Sequence, residues 1–135
     1  MRDITDSAGS CLAPLLSVVQ LLGRRWTIPL MLVLSESGSD MRYSEIREQL
    51  VSLSKREISD STLSKKLSEL TKLGILFRKS FDEVPPRVEY SLSAVGLDLI
   101  TKLNNLGTWA RDECHSGRLR VPRPGKSLQD LQQLD

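Results

Sequence analysis

Apolar residues recur along this chain in stretches of helical period, broken by short clusters of glycine, serine, aspartate or proline. From Pro14 the chain runs through Leu15, Leu16, Val18, Val19, Leu21 and Leu22 to Gly23. Proline in a first turn and glycine just past a last one delimit a helix. That helix is apolar on more than one side, so it needs partners on both sides, from within the monomer or from another subunit. Arg24 to Glu36 predicts a second helix, with Trp26, Ile28, Leu30, Met31, Val33 and Leu34 supplying core. Pro29 is tolerated there only near the first turn, where a missing N–H costs nothing. Ser37-Gly38-Ser39-Asp40 predicts a turn, and Met41-Arg42 a very short strand. Tyr43 to Leu50 predicts a third helix with Ser44 as cap and Ile46 and Leu50 one turn apart. Val51 to Glu57 is polar and reads as a loop or as an extension of that helix.

A fourth helix is predicted from Ser59-Asp60-Ser61 to about Leu73, closed by Gly74 at the C′ position. Leu63, Leu67, Leu70 and Leu73 form its apolar stripe. At about 100° per residue the opposite face is Ser61, Lys65, Ser68 and Lys72, with Ser64 and Glu69 on the shoulders. Lys66 falls near the buried edge, where its stem is expected to snorkel. Ile75 to Phe81 and Arg87 to Leu92 predict an antiparallel hairpin. Ile75 and Phe77 are expected on one side of its first strand, Leu76 and Arg78 on the other. Pro85 and Pro86 sit at the tip or edge, where no ladder donor is needed. Ser93 is then expected to cap a long helix reaching about Glu113, with Val95, Leu99, Leu103 and Leu106 along one stripe and Gly107 as a weak point. Leu128, Leu131 and Leu134 have the spacing of a short closing helix.

Composition narrows the function. The chain has 135 residues, 39% hydrophobic and 27% charged, which suits one soluble domain with its own core. The expected organisation is an N-terminal arm over 1–13, a domain over 14–116 and a basic C-terminal tail over 117–135. Two cysteines make no disulfide framework, and one histidine, His115, gives little scope for a metal site or a triad. No phosphate loop and no nucleophile–base pair stands out, so neither an enzyme nor a cofactor is expected. Arg24 and Arg25 break the most apolar region, and residues 1–10 lack a signal peptide's apolar core, so the expectation is a cytoplasmic protein without a membrane span. The formal charge is only +2, yet Lys55 to Arg87 holds eight bases against five acids, and Gly117 to Lys126 holds four bases and no acid. Local positive charge of this kind suits a polyanionic partner, although a solvated surface has the same composition.

Four helices, a hairpin and a final helix, with a short polar loop between the third and fourth, give the fold class: mainly α with a small β-hairpin, in the layout of a winged helix-turn-helix flanked by N- and C-terminal dimerisation helices. In that layout the fourth helix enters the major groove of double-stranded DNA. Its candidate contacts are Ser59, Ser61, Thr62, Ser64, Lys65, Ser68 and Lys72, since hydroxyls pair with base edges and lysine reaches guanine or phosphate. Arg42, Arg78, Lys79 and Arg87, on the wing and its flanks, are candidates for backbone contacts that fix position. A helical domain with lysines for solubility, or a winged-helix module that binds protein and not DNA, are the alternatives.

Three segments carry a resemblance to a known family. Leu22-Gly23-Arg24-Arg25-Trp26, Ile58 to Leu67 and Pro85-Pro86-Arg87-Val88-Glu89-Tyr90-Ser91-Leu92, followed by Gly96, resemble the signature regions of HxlR-type transcriptional regulators, which are related to the MarR group. The resemblance spans about Cys11 to Arg111 and implies a homodimer that acts on a near-palindromic operator. The chain has Arg24-Arg25-Trp26 where the family usually has Gly-Lys-Trp, and Arg42-Tyr43 where it usually has Arg-Phe. Its Val51–Glu57 loop and its C-terminal tail are longer than usual.

Dimerisation also follows from the apolar surplus of the first and last helices. Leu15, Leu16, Val19, Leu22, Leu99, Leu103 and Leu106 are the candidate interface, unless both helices pack only within the monomer. The resemblance further makes Cys11 a candidate redox sensor, at a helix N-terminus that favours thiolate; the alternative is a small core residue. A small-molecule or redox effector is therefore compatible with the sequence. Cys114 beside His115 supplies too few ligands for a closed zinc site.

Overall fold

The computed structural model describes residues 12–122. The elements are α1 (Leu12–Leu22), α2 (Thr27–Ser37), β1 (Met41–Arg42), α3 (Tyr43–Ser54), α4 (Asp60–Lys72), β2 (Leu76–Phe81), β3 (Arg87–Leu92) and α5 (Ala94–Ser116). The chain parts into two compact units at Leu97–Asp98, inside α5. Cys11 and the stretch holding Leu128, Leu131 and Leu134 lie outside the described residues.

In the first unit the strands form an antiparallel sheet in the order β1-β3-β2. Met41 lies opposite Tyr90 and Arg42 opposite Glu89, so the two-residue strand expected from the sequence forms and ties the start of α3 to the wing. The core is built from Leu30, Met31, Val33 and Leu34 of α2, Ile46 and Leu50 of α3, and Leu63, Leu67 and Leu70 of α4, closed by Met41, Ile58, Ile75, Leu76 and Leu92. Burial of these side chains, each contributing roughly 1.5–3 kcal/mol, is what holds three short helices against a small sheet.

Several boundaries differ from those expected. α2 starts at Thr27, not Arg24, because Gly23 to Trp26 form a tight joint and Trp26 takes a left-handed conformation (φ 77°). Ser44 does not cap α3. Arg42 occupies the N-cap, and the Glu45 carboxylate accepts its backbone N–H at 3.2 Å. α3 continues past Leu50 to Ser54, where the Ser54 hydroxyl donates to the Leu50 carbonyl at 2.7 Å and Lys55 ends the helix with φ 58°. The longer helix absorbs half of the Val51–Glu57 segment.

Two placements differ from those expected: Leu73 in the buried stripe, and Phe77 on the side of Ile75. Leu73 is 54% exposed: its N–H still donates to the Glu69 carbonyl at 3.0 Å, but it lies past the last buried turn of α4. Phe77 is 58% exposed, whereas Ile75 and Leu76 are both buried. The pleat begins only at Leu76: Ile75 still belongs to the turn, its N–H donating to the Leu70 carbonyl at 3.0 Å, so alternation cannot be counted from it.

α5 starts against the sheet. The Ser93 N–H donates to the Ile75 carbonyl at 2.9 Å, and the Ser93 hydroxyl accepts from the Gly96 N–H at 3.0 Å. A Cβ on Gly96 would collide with the Ile75 carbonyl, so only glycine lets the first turn approach this closely. The helix runs through Gly107 without a break. In the second unit the chain reverses after Ser116 at Gly117 (φ 79°). It folds back so that Leu119 N–H donates to the Glu113 carbonyl at 3.1 Å and Arg118 pairs with the Glu113 carboxylate at 3.2 Å.

Candidate nucleic-acid interface

The polar face expected on α4 is the face left open. Ser61, Ser64, Lys65, Ser68 and Lys72 are exposed, while Leu63, Leu67 and Leu70 are at most 1% exposed. Lys65, Ser68, Glu69, Lys72 and Leu73 line a shallow depression on this side. Ser59 and Thr62 are also exposed but are engaged locally. The Ser59 hydroxyl accepts from the Thr62 N–H at 3.2 Å, as an N-cap does, and donates to the Thr62 hydroxyl at 2.8 Å. Lys66 is more enclosed than a snorkelling lysine: it is buried to 7% exposure, and its Nζ reaches the Glu69 carboxylate at 3.7 Å.

Two carboxylates that the sequence reading gave no role in holding the fold secure α4 to its neighbours. Asp60, at the first turn, accepts from the Tyr43 hydroxyl at 2.8 Å and pairs with Arg47 at 2.6 Å, both from α3. Glu69, two turns further on, pairs with Arg24 of the α1–α2 joint at 2.9 Å. Helical spacing carries no signal for either pair, because the partners are 13 and 45 residues apart.

The register of the wing separates the candidate cations. Arg78 lies opposite Tyr90, and Lys79 opposite Glu89, so the two basic residues project from opposite faces of the hairpin. Arg78 is exposed and its guanidinium donates to the Ser80 hydroxyl at 3.3 Å. Lys79 is exposed and its Nζ lies 5.1 Å from the Phe81 ring centre. Arg87 differs from both. Its guanidinium stacks 3.9 Å over the Phe81 ring and pairs with Glu83 at 3.3 Å and Glu89 at 3.6 Å, with 28% of the side chain exposed. Arg87 is thus engaged within the wing. Arg42 is exposed at the end of β1, where it joins Tyr43, Ser44 and Arg87 in lining a cleft between α3 and the wing tip. The tip itself carries two carboxylates, Asp82 and Glu83, ahead of a fully exposed Val84.

Of the candidate interface residues, Leu15, Leu16 and Val19 are exposed, as are Leu12 and Val18 of the same helix, and α1 has no buried residue at all. Leu22 is half-buried. In α5, Leu99 and Leu103 are half-buried and Leu106 is exposed, together with Trp109, which the stripe reading left out. Cys114 is a free, exposed thiol. Among the described residues no cluster of His, Cys, Asp or Glu could hold a metal, and no helix is long and apolar enough to cross a membrane.

Helices α2 to α4 with a wing after the third of them define a winged helix-turn-helix. The chain belongs to the HxlR-like helix-turn-helix family of DNA-binding transcriptional regulators, whose family model matches residues 21–118. Its relatives include the HTH-type transcriptional regulator YvaP of Bacillus subtilis, 34% identical over 94 residues, which cover 70% of this chain and 81% of YvaP. A MarR-family transcriptional regulator of Enterococcus faecalis has a similar structure, with a TM-score of 0.69 at 28% identity over 88% of this chain and all of that one. The reduced form of the transcriptional regulator YodB from B. subtilis superposes with a TM-score of 0.64 at 30% identity, over 75% of this chain and 92% of YodB.

Proposed function

We propose that this protein represses or activates transcription as a homodimer on a near-palindromic DNA site, with α4 in the major groove and the wing along the backbone. The observation that carries the reading is the outer face of α4, where hydroxyls and ammonium groups stand exposed over a stripe of buried leucines. Ser61, Ser64, Lys65 and Ser68 are assigned to base edges, and Lys72, Arg42, Arg78 and Lys79 to phosphates. Ser59 and Thr62 hold the start of the helix, and their backbone end is suited to a phosphate. We assign Arg87 to stiffening the wing, because its charge is already shared with Glu83 and Glu89.

The homodimer reading rests on α1, which leaves Leu12, Leu15, Leu16, Val18 and Val19 in solvent. A helix that apolar is stable in water only when covered, and a twofold partner offers the same surface in return. Leu99, Leu103 and Leu106 of α5 are separate candidates for contact with the second subunit. Twofold symmetry sets two copies of α4 one or more helical turns apart on one duplex. A redox or small-molecule effector fits this reading, as YodB is a regulator solved in a reduced form.

Binding of labelled duplexes at graded salt tests the proposal. Affinity should fall steeply with salt, with a log–log slope of about −0.9 for each phosphate neutralised. Salt-independent binding, or none, favours a winged-helix module for a protein partner.

A further inference from the structure

The joint between α1 and α2 is built around one residue. The backbone N–H of Arg24 donates to the Leu21 carbonyl of α1 at 3.2 Å, and its carbonyl accepts from the Thr27 N–H of α2 at 3.3 Å. Its guanidinium crosses to α4 and meets the Glu69 carboxylate at 2.9 Å. Arg24 therefore touches three helices: the apolar one, the one that starts the core, and the one that presents the polar face.

Two neighbouring features fix this geometry. Trp26 is buried and held at φ 77°, a conformation unfavourable for a bulky residue that persists only where the surroundings impose it. The Arg25 guanidinium lies 5.7 Å from the Trp26 ring centre, so of the two adjacent arginines one packs on the joint while the other reaches α4. Glu69, in turn, holds the ammonium of nearly buried Lys66 on its other oxygen. The carboxylate is a hub between the joint and the reading helix.

We propose that Arg24 is a positioning residue for DNA recognition, holding α4 through Glu69 in a fixed orientation to α1. The proposal rests on the DNA reading above. Its consequence is that a grip on α1, by a second subunit above all, reaches α4 directly through this side chain.

The test compares the full chain with its Arg24→Met, Arg24→Lys and Glu69→Gln variants on two duplexes, the site selected by the wild type and a scrambled version. Charge alone would shift both duplexes together, weaker for Arg24→Met and tighter for Glu69→Gln, and leave the ratio of the two affinities unchanged. Positioning predicts that the ratio falls about tenfold in both variants, in the same direction, and that Arg24→Lys retains it within about threefold. Thermal melts should stay within a few degrees of the wild type for Arg24→Met, since the arginine side chain is 64% exposed. A wild-type preference that Arg24→Met and Glu69→Gln leave intact overturns the proposal alone. A wild-type chain that selects no site from random duplexes overturns the DNA reading and this proposal with it.

Discussion

The Arg47 guanidinium lies 2.6 Å from the Asp60 carboxylate, and through that pair α3 grips the first turn of the helix that faces outward. The Tyr43 hydroxyl reaches the same carboxylate oxygen at 2.8 Å. Asp60 also sits where a negative charge suits the helix dipole. With 79% of the Asp60 side chain in water, the ion pair is screened and worth at most about 1 kcal/mol. A double-mutant cycle of Arg47→Ala and Asp60→Ala, followed by urea unfolding, should give a coupling energy of roughly 0.5–1 kcal/mol. A coupling of zero means that the contact adds nothing to stability.

The seam between α5 and the sheet predicts a larger effect. Gly96→Ala forces a methyl group into the Ile75 carbonyl and the Leu92 side chain. The cost should be about 1–3 kcal/mol, as for other overpacked sites. Gly107→Ala meets nothing within 4 Å and should stabilise by up to about 1 kcal/mol, since alanine is the better helix former. Unfolding midpoints of the two variants check the contrast.

Leucines on the α4 stripe should divide sharply. Leu70→Ala opens a cavity at a fully buried position and should cost about 2–5 kcal/mol. Leu73→Ala, at a position more than half exposed, should cost less than about 1 kcal/mol. Similar losses at both positions in chemical denaturation would contradict the exposed placement of Leu73.

The same stripe shows what was legible in the sequence. Periodicity found Leu63, Leu67 and Leu70, and with them the opposite polar face, because three turns of helix repeat the pattern. It overran at Leu73, where the repeat stops and composition does not change. It also misread Phe77, since a strand's alternation has meaning only from its first paired residue. The wing cations Arg78 and Lys79 were visible as charges, but their opposite faces follow from the register with Tyr90 and Glu89. The Arg24–Glu69 and Arg47–Asp60 pairs were not legible at all, because no local pattern links residues that meet only after the chain has folded.

On α1, one charge should separate assembly from folding. Val19→Asp places a carboxylate at an exposed apolar position and leaves the monomer's core intact, so its unfolding midpoint should fall below the wild type's and no longer rise with protein concentration as a dimer's does. Sedimentation equilibrium should show a wild-type dimer and a variant monomer. A dimer that survives the change excludes the Val19 face from the interface.

Selection of bound sequences from random duplexes, run in parallel with the wild type and with the Ser61→Ala/Lys65→Ala double variant, tests the central claim most directly. The wild type should enrich an inverted repeat with half-sites a helical turn or a multiple of it apart, about 34–36 Å for one turn. The double variant should lose preference at defined base pairs within each half-site, by roughly 1–3 kcal/mol per lost contact. Recovery of the same repeat with the same base preferences by both proteins would contradict the assignment of the exposed face of α4 to base recognition.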